Sequence, residues 1–201
     1  MKPRTANHLA ALACQRLGLK GAERWRQSLQ EGLSGLLEET VLTTWLERVE
    51  GPATAEDAAP IESVRNLMEP QARARDGVYF TPAPVAEAMA AAVDIRRGET
   101  VVDPAAGAGS LLAAVARRWP SARLVGVEKH PHLAIAAAIR IAAIRRQQGR
   151  DTPLDDRIYV GDGLARDERW ARLEGRAGAV VANSPYVREK GRGEFFERLE
   201  R

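Results

Sequence analysis

Short apolar runs alternate with helix-like segments between residues 101 and 182. Four runs predict strands, at Val101–Val102 with Asp103, Leu124–Val127, Ile158–Val160 and Ala179–Ala182. The segments between them predict helices, at Leu111–Trp119, Leu133–Ile144 and Asp167–Leu173. Because alternating strands and helices build βαβ units, the pattern predicts an α/β fold. Right-handed crossovers then leave a doubly wound parallel sheet as the economical topology.

The residues before this region follow a different pattern. Residues 5–17 and 22–49 are predicted helices, the second with apolar residues recurring at three- and four-residue spacing. Residues 51–60, GPATAEDAAP, have the composition of a linker. We therefore predict a helical N-terminal segment with its linker at 1–70 and an α/β domain at 71–201.

Composition places the chain among soluble globular proteins, with 45% hydrophobic and 28% charged residues. No apolar run reaches the roughly 18 residues that a membrane span requires. The single cysteine, Cys14, excludes an internal disulfide framework and suits a reducing compartment. We predict a cytoplasmic protein that has no association with a membrane.

Positive charge is concentrated in the C-terminal part of the chain. Residues 71–201 contain 22 Lys and Arg against 17 Asp and Glu, although the whole chain has a net charge of only +3. The segment 140–150 contains four arginines and no acid. Such a segment is compatible with a polyanionic partner. A solvated basic helix end explains it equally well.

The most informative motif is VVDPAAGAGSLL at residues 101–112, an apolar strand followed by an acid, small residues and a helix. Glycines such as Gly107 and Gly109 let the backbone approach a ligand closely, and a helix N-terminus presents free N–H groups. Asp103 would be a poor neighbour for a phosphate. It suits the cationic amino group of an amino-acid ligand. A tight strand-to-helix turn produces the same pattern, so the motif alone is weakly specific.

Acids also follow the second and third predicted strands. Glu128 comes nineteen residues after Gly109, and an acid at about this spacing can bind both hydroxyls of a ribose. Asp162 lies between Gly161 and Gly163, where its carboxylate can accept a hydrogen bond from an adenine amino group. A surface glutamate and a turn-forming aspartate are the alternatives when each acid is taken alone.

The fourth predicted strand leads into Asn183-Ser184-Pro185-Tyr186. An asparagine oxygen and a backbone carbonyl together can accept both hydrogens of an amino group. A tyrosine ring can stack on a planar base. An Asn-x-Pro turn with a half-buried tyrosine is the structural alternative.

In this order, the motifs resemble those of the gamma-type adenine-specific (N6) DNA methyltransferases of restriction–modification systems. Residues 77–82, GVYFTP, resemble the first cofactor motif of that family, and DPAAGAGSLL is similar to its DPACGSGxFL loop. NSPY resembles its catalytic (Asn/Asp)-Pro-Pro-(Tyr/Phe) motif. The resemblance covers about residues 70–190. It implies a Rossmann-like fold and S-adenosylmethionine as the cofactor.

The resemblance also implies roles for individual residues. The implied cofactor-binding residues are Tyr79, Phe80, Thr81, Asp103, Ala105, Gly107, Gly109, Glu128, Lys129, Asp162, Gly163 and Asn183. The implied catalytic residues are Asn183, Ser184, Pro185 and Tyr186. The implied reaction is methyl transfer to the exocyclic amino group of adenine, flipped out of double-stranded DNA. No metal is expected, because the three histidines lack ligand spacing with cysteines or acids.

The segment before the first strand carries a further structural expectation. Thr81 and Pro82 are predicted to start a helix, with Thr81 as its N-cap and Pro82 at its first position. Val85, Met89 and Val93 would form the buried stripe of that helix.

Three departures from the family pattern affect these expectations. Ser184 replaces the first proline of the catalytic motif, so the loop loses a φ restraint. Ala106 replaces the usual cysteine of the glycine loop. The sequence ends soon after the catalytic motif, so we expect a missing C-terminal half or a separate specificity subunit.

Other functions remain open. A protein glutamine-amide N-methyltransferase uses the same Asn-Pro-Pro-Tyr chemistry, although the Tyr79–Pro82 segment favours DNA. A truncated, non-catalytic module that binds S-adenosylmethionine or a partner is favoured by Ser184 and by the short chain. A nicotinamide dehydrogenase is disfavoured because the loop lacks a third glycine. The position of Cys14 near the N-terminus argues against methylation of a cytosine ring carbon.

Overall fold

A computed structural model describes residues 36–38, 81–149 and 155–184. Helices occupy α1 (Ala83–Ala92), α2 (Ser110–Arg118), α3 (Pro131–Gln147) and α4 (Glu168–Ala171). Strands occupy β1 (Thr100–Asp103), β2 (Arg123–Glu128), β3 (Arg157–Val160) and β4 (Ala179–Val180). Strands and helices therefore alternate along the chain as the sequence predicts.

The four strands form one parallel sheet in the order β3-β2-β1-β4. From β1 the chain builds outward through β2 to β3 and then returns to pair β4 with the other side of β1. The prediction of a doubly wound parallel sheet is confirmed. The point between β1 and β4, where the winding direction reverses, is where open α/β sheets bind ligands beyond the carboxyl ends of their strands.

Residues alternate between the two faces of the sheet, and each face has its own apolar cluster. The face that carries Val101 and Leu124 packs against α2 and α3, and α1 packs against α2. The buried residues of these three helices are mostly alanine, leucine and isoleucine. The other face carries Val125, Val127 and Tyr159, packed against Trp170 and Leu173. Asp103 and Glu128 lie on the same face as Val101 and Leu124, because strand residues two apart share a face.

The start of α2 depends on a glycine. Gly109 is the N-cap and has a φ of 77°, in the left-handed region that other residues rarely adopt. A Cβ at Gly109 would also lie 2.9 Å from the Cα of Ala137 on α3. Only glycine meets both conditions, so this residue fixes the glycine loop and α2 closely against α3.

The prediction for α1 is wrong in two respects, its N-cap and its buried face. Pro82 is the N-cap rather than Thr81, and no side chain caps the helix. The buried face carries Ala86 and Ala90, with Met89 and Val93 partly buried, whereas Val85 is 48% exposed. Alanines allow α1 to approach α2 closely, which a stripe of larger residues would prevent.

Other predicted elements differ in length. The helix predicted at Asp167–Leu173 is reduced to α4 and followed by turns, and the strand predicted at Ala179–Ala182 is reduced to β4. The sequence pattern predicts longer elements because apolar residues beyond their ends, such as Leu173 and Val181, also pack in the apolar clusters. The backbone of these residues is irregular.

The predicted helix at 22–49 is wrong where the structure describes it, because residues 36–38 form a turn and a bend. The carbonyl of Leu36 accepts a hydrogen bond from the N–H of Ile158 on β3 at 2.6 Å, and both Leu36 and Leu37 are buried in the α/β core. The helix at 5–17 and the linker at 51–60 lie outside the described residues. The boundary near residue 70 stays a prediction.

Candidate active site

The loops that follow the parallel strands meet at the carboxyl edge of the sheet. The N–H of Ala106, after β1, donates to the carbonyl of Val127 at 2.9 Å. The N–H of Gly161, after β3, donates to the carbonyl of Glu128 at 3.0 Å. These bonds bring Asp103, Glu128 and the segment around Asp162 to one edge. Asn183, which follows β4, lies at the same edge.

A pocket opens at this edge between the glycine loop and the end of β4. Its lining residues are Thr81, Asp103, Ala105, Ala106, Gly107, Ala108, Ser110, Leu111 and Asn183. Five of them, Thr81, Asp103, Ala105, Gly107 and Asn183, are among the predicted cofactor-binding residues. The other four are additional to the predicted site residues, and all lie inside the VVDPAAGAGSLL motif.

Asp103 is the most deeply placed acid of the pocket, with 1% of its surface exposed. Its Oδ1 accepts a hydrogen bond from the N–H of Ala105 at 3.0 Å, whereas Oδ2 has no hydrogen-bond partner among the described residues. Burial raises the pKa of Asp103 to about 7, with a smaller rise from the charge of Glu128, and the Ala105 bond opposes the shift. A buried carboxylate oxygen without a partner suits a cationic ligand group.

Glu128 connects the second strand to the glycine loop. Its Oε2 accepts a hydrogen bond from the N–H of Gly107 at 2.8 Å, and its Oε1 accepts one from the N–H of His130 at 2.7 Å. Burial raises the pKa of Glu128, and these backbone bonds oppose the rise. Each carboxylate oxygen retains a second lone pair, so Glu128 can still accept bonds from two hydroxyl groups.

The segment after β3 lies against the loop after β1. Asp162 is half-buried, and its Oδ1 accepts a hydrogen bond from the N–H of Leu164 at 3.0 Å. A Cβ on Gly163 would lie 1.9 Å from the carbonyl oxygen of Pro104, so only glycine permits this approach. Glu128, Asp162, Gly163, Gly109 and Lys129 border the same edge without lining the pocket, and Lys129 is exposed.

Asn183 is tied to the segment before α1. Its Nδ2 donates to Thr81 Oγ1 at 3.1 Å, which leaves Asn183 Oδ1 as an acceptor. Ser184 is exposed and does not line the pocket. Tyr79, Phe80, Pro185 and Tyr186 lie outside the described residues, so their predicted roles stay predictions.

Replacing Gly163 with alanine is expected to lower the free energy of unfolding by about 1–3 kcal/mol. The new methyl group would overlap the carbonyl of Pro104, so one of the two loops must move away. Chemical denaturation followed by tryptophan fluorescence measures the change. Leu164→Ala is the matched control, because Leu164 is 53% exposed and its truncation should change stability by less than about 0.5 kcal/mol. Equal stability of the two variants would contradict the close contact.

Asp103→Asn is expected to stabilise the protein at pH 8 and to leave its stability nearly unchanged at pH 4. The pKa of Asp103 is about 7 in the folded protein and near 3.8 when unfolded. Between these values the unfolded state binds fewer protons, so the carboxylate destabilises the fold as pH rises. The gain at pH 8 should reach at most about 4 kcal/mol. Urea titrations at both pH values measure it, and an equal change at both would contradict the raised pKa.

Residues 36–38, 81–149 and 155–184 contain neither a cluster of candidate metal ligands nor a helix that could span a membrane. No three His, Cys, Asp or Glu side chains within these ranges cluster as metal ligands. None of the helices described there has the length and apolar character needed to cross a membrane.

Comparison with known proteins identifies one matching family and several relatives named as methyltransferases or methylases. The family described as N-6 DNA Methylase matches residues 65–196. Type II methyltransferase M.XamI of Xanthomonas campestris pv. amaranthicola is 33% identical over 126 residues, 61% of this chain and 22% of the relative. The type I restriction enzyme MjaVIII methylase subunit of Methanocaldococcus jannaschii is 29% identical over 122 residues, 57% of this chain and 20% of the relative.

One further relative is named for a different substrate. The 4-amino-L-phenylalanine/4-methylamino-L-phenylalanine methyltransferase of Streptomyces pristinaespiralis is 38% identical over 96 residues, 46% of this chain and 28% of the relative. The matched region therefore spans between 20% and 28% of the length of these relatives.

The fold is also similar to a solved structure. The methyltransferase subunit of the type I restriction-modification system of Streptococcus thermophilus superposes with a TM-score of 0.52 and 18% identity, covering 94% of this chain and 46% of that one. This similarity shows that the two proteins share a Rossmann-like fold. Because the family match extends over more than half of the sequence and agrees with the sheet order and the site, the chain belongs to the N-6 DNA methylase family.

Proposed function

We propose that the chain binds S-adenosylmethionine at the carboxyl edge of the sheet and transfers its methyl group to the exocyclic amino group of adenine in DNA. The observation that carries the proposal is the pocket in which Asp103 and Asn183 meet. A buried acid for the cofactor and an amide acceptor for the substrate line one cavity.

The residues at this edge fit the cofactor. Asp103 Oδ2, which no described residue contacts by a hydrogen bond, suits the ammonium group of the methionine moiety, and Glu128 has lone pairs for both ribose hydroxyls. Asp162 and Gly163 would border the adenine ring of the cofactor, with Lys129 at its rim. S-adenosylmethionine supplies an electrophilic methyl group on a sulfonium centre when it is bound.

Asn183 would increase the nucleophilicity of the adenine amino group, which is weak because its lone pair is delocalised into the ring. Asn183 Oδ1 and the carbonyl of Ser184 would accept the two N–H bonds and concentrate the lone pair on nitrogen. Tyr186 would stack on the flipped base, beside Pro185. Positioning and electrostatics then provide the catalysis, and no covalent intermediate with the protein is required.

The substrate partner in this proposal is double-stranded DNA, encountered in the cytoplasm. The S. thermophilus and M. jannaschii relatives are named as methyltransferase subunits of type I systems. We propose that recognition of the target sequence is supplied by a C-terminal half or by a specificity subunit. The relatives' greater length supports this division.

An aromatic amine of a small molecule is the second candidate substrate. The S. pristinaespiralis relative is named for methylation of an amino group on a phenyl ring. An aryl amine has the same delocalised lone pair as adenine, so the same acceptor pair would serve it. The two candidates differ only in the planar group that carries the amine.

The decisive experiment offers labelled S-adenosylmethionine with three acceptors in parallel: mixed-sequence DNA, 4-amino-L-phenylalanine and a translation release factor. Transfer to DNA, recovered as N6-methyladenine after nucleoside digestion, supports the proposal. Transfer to the amino acid alone supports the second candidate, and transfer to the release factor alone supports glutamine-amide methylation. Donor binding without transfer to any acceptor would favour a non-catalytic binding module.

A further inference from the structure

Ser110 and Arg140 connect the wall of the pocket to the middle of α3. Arg140 Nη1 donates a hydrogen bond to Ser110 Oγ at 2.9 Å, and Ser110 lines the same pocket as Asp103. A guanidinium has only donors, so the serine oxygen must be the acceptor. Within the described part of the chain, the Ser110 O–H itself has no acceptor. It therefore remains available as a donor to a ligand.

The charge distribution of the pocket is bipolar. Asp103 contributes a buried carboxyl group to one part of the wall. Ser110 is the first residue of α2, so the positive end of the helix dipole lies beside its hydroxyl. Arg140 adds a full positive charge that bonds directly to that hydroxyl. An amino-acid head, with one ammonium and one carboxylate, matches this distribution.

We infer that Ser110, positioned by Arg140, binds the carboxylate of the amino-acid moiety of S-adenosylmethionine. The inference rests on the proposed function, since it assigns one group of the proposed donor to one residue of the same pocket. Ser110 touches the ligand. Arg140 does not line the pocket, so it is a positioning residue that orients the hydroxyl and strengthens its hydrogen bond to an anion.

The test compares S-adenosylmethionine with its decarboxylated analogue, which keeps the sulfonium, the nucleoside and the amine. Calorimetry on the full chain should show that Ser110→Ala and Arg140→Met each weaken binding of S-adenosylmethionine about tenfold or more. Binding of the decarboxylated analogue should change less than twofold. The affinity of the double variant for S-adenosylmethionine should equal that of the single variant that binds it more weakly, because both residues act through one contact.

Two controls make the comparison specific. Ser110→Thr keeps the hydroxyl and should retain most of the affinity, whereas Arg117→Met removes an exposed arginine from the far end of α2 and should change nothing. Equal weakening of both compounds in the Ser110 and Arg140 variants would overturn the inference, as would unchanged affinity. If the wild-type chain binds neither compound, the proposed function itself fails, and the inference fails with it.

Discussion

Asn183→Ala should lower methyl transfer at least about 100-fold and weaken binding of S-adenosylmethionine by no more than about tenfold. The substitution removes the side-chain oxygen that would accept an N–H bond of the substrate amine, and losing one preorganised polar group of this kind costs roughly 10²–10³ in rate. Asn183 also lines the pocket, so a modest loss of donor affinity is expected as well. Single-turnover transfer and calorimetric binding measure the two effects separately.

Two variants show whether the effect belongs to the amide. Thr81→Val removes the acceptor that holds Asn183 Nδ2, so it should give an intermediate loss of transfer. Val85→Ala alters a side chain that is 48% exposed on α1 and should leave transfer within twofold of wild type. Undiminished turnover in Asn183→Ala would show that the loop after β4 is structural and would remove the proposed acceptor pair.

The placement of Asp103, Glu128 and Asn183 at one edge could be predicted from the sequence because each lies at or just after a strand end. Asp103 and Glu128 close the apolar runs of β1 and β2, and Asn183 follows that of β4. In a parallel sheet all such ends lie at one edge, so their proximity follows from the topology without any knowledge of side-chain packing. A polar residue at the end of a buried apolar run is the informative signal.

Pairings that depend on packing could not be predicted in the same way. Asn183 and Thr81 are separated by 102 residues, and no periodicity relates them. Leu36 and Leu37 fit a helical stripe in the sequence, yet Leu36 lies against β3 and gives its carbonyl to Ile158. The apolar pattern of the sequence indicates which residues are buried, but it does not indicate which part of the fold packs against them.

The arginines of segment 140–150 show the same limitation for charge. The sequence allows a polyanion-binding patch or a solvated helix end, but Arg145 is 1% exposed and Arg140 contacts Ser110. An arginine is rarely buried unless it is paired, and the partner of Arg145 is Asp156, eleven residues away and immediately before β3. Neither interpretation of the basic segment therefore holds for Arg145.

The Arg145–Asp156 pair lies at the amino edge of the sheet, opposite the pocket, and all its hydrogen bonds are internal. Arg145 Nε donates to Asp156 Oδ2 at 2.8 Å, and Nη2 donates to Oδ1 at 3.1 Å. Nη2 also donates to the carbonyl of Ala122 at 2.6 Å, and Nη1 donates to the carbonyl of Pro120 at 2.9 Å and to Gln148 Oε1 at 3.3 Å. Asp156 Oδ1 in turn accepts the N–H of Leu124 at 2.8 Å, so the pair joins α3 to the starts of β2 and β3.

Arg145→Met is expected to lower the free energy of unfolding by about 3–5 kcal/mol, because Asp156 would remain buried without its cation. Asp156→Asn should also destabilise, since it leaves the buried guanidinium without an anion. The double variant should be less destabilised than the two single effects combined, with a coupling of up to about 3 kcal/mol. Urea denaturation of all four proteins measures the cycle, and Arg117→Met is the exposed control.

Because the pair lies at the edge opposite the pocket, its variants should change the free energy of unfolding without changing cofactor affinity. At a temperature where the variants remain folded, their affinity for S-adenosylmethionine should equal that of the wild type, because the pocket lies at the other end of the strands. A loss of affinity at full folding would show that the two edges are coupled through β2. Additive single effects would show instead that Arg145 and Asp156 act independently, and that the bonds of Arg145 to Ala122, Pro120 and Gln148 account for the stability that it contributes.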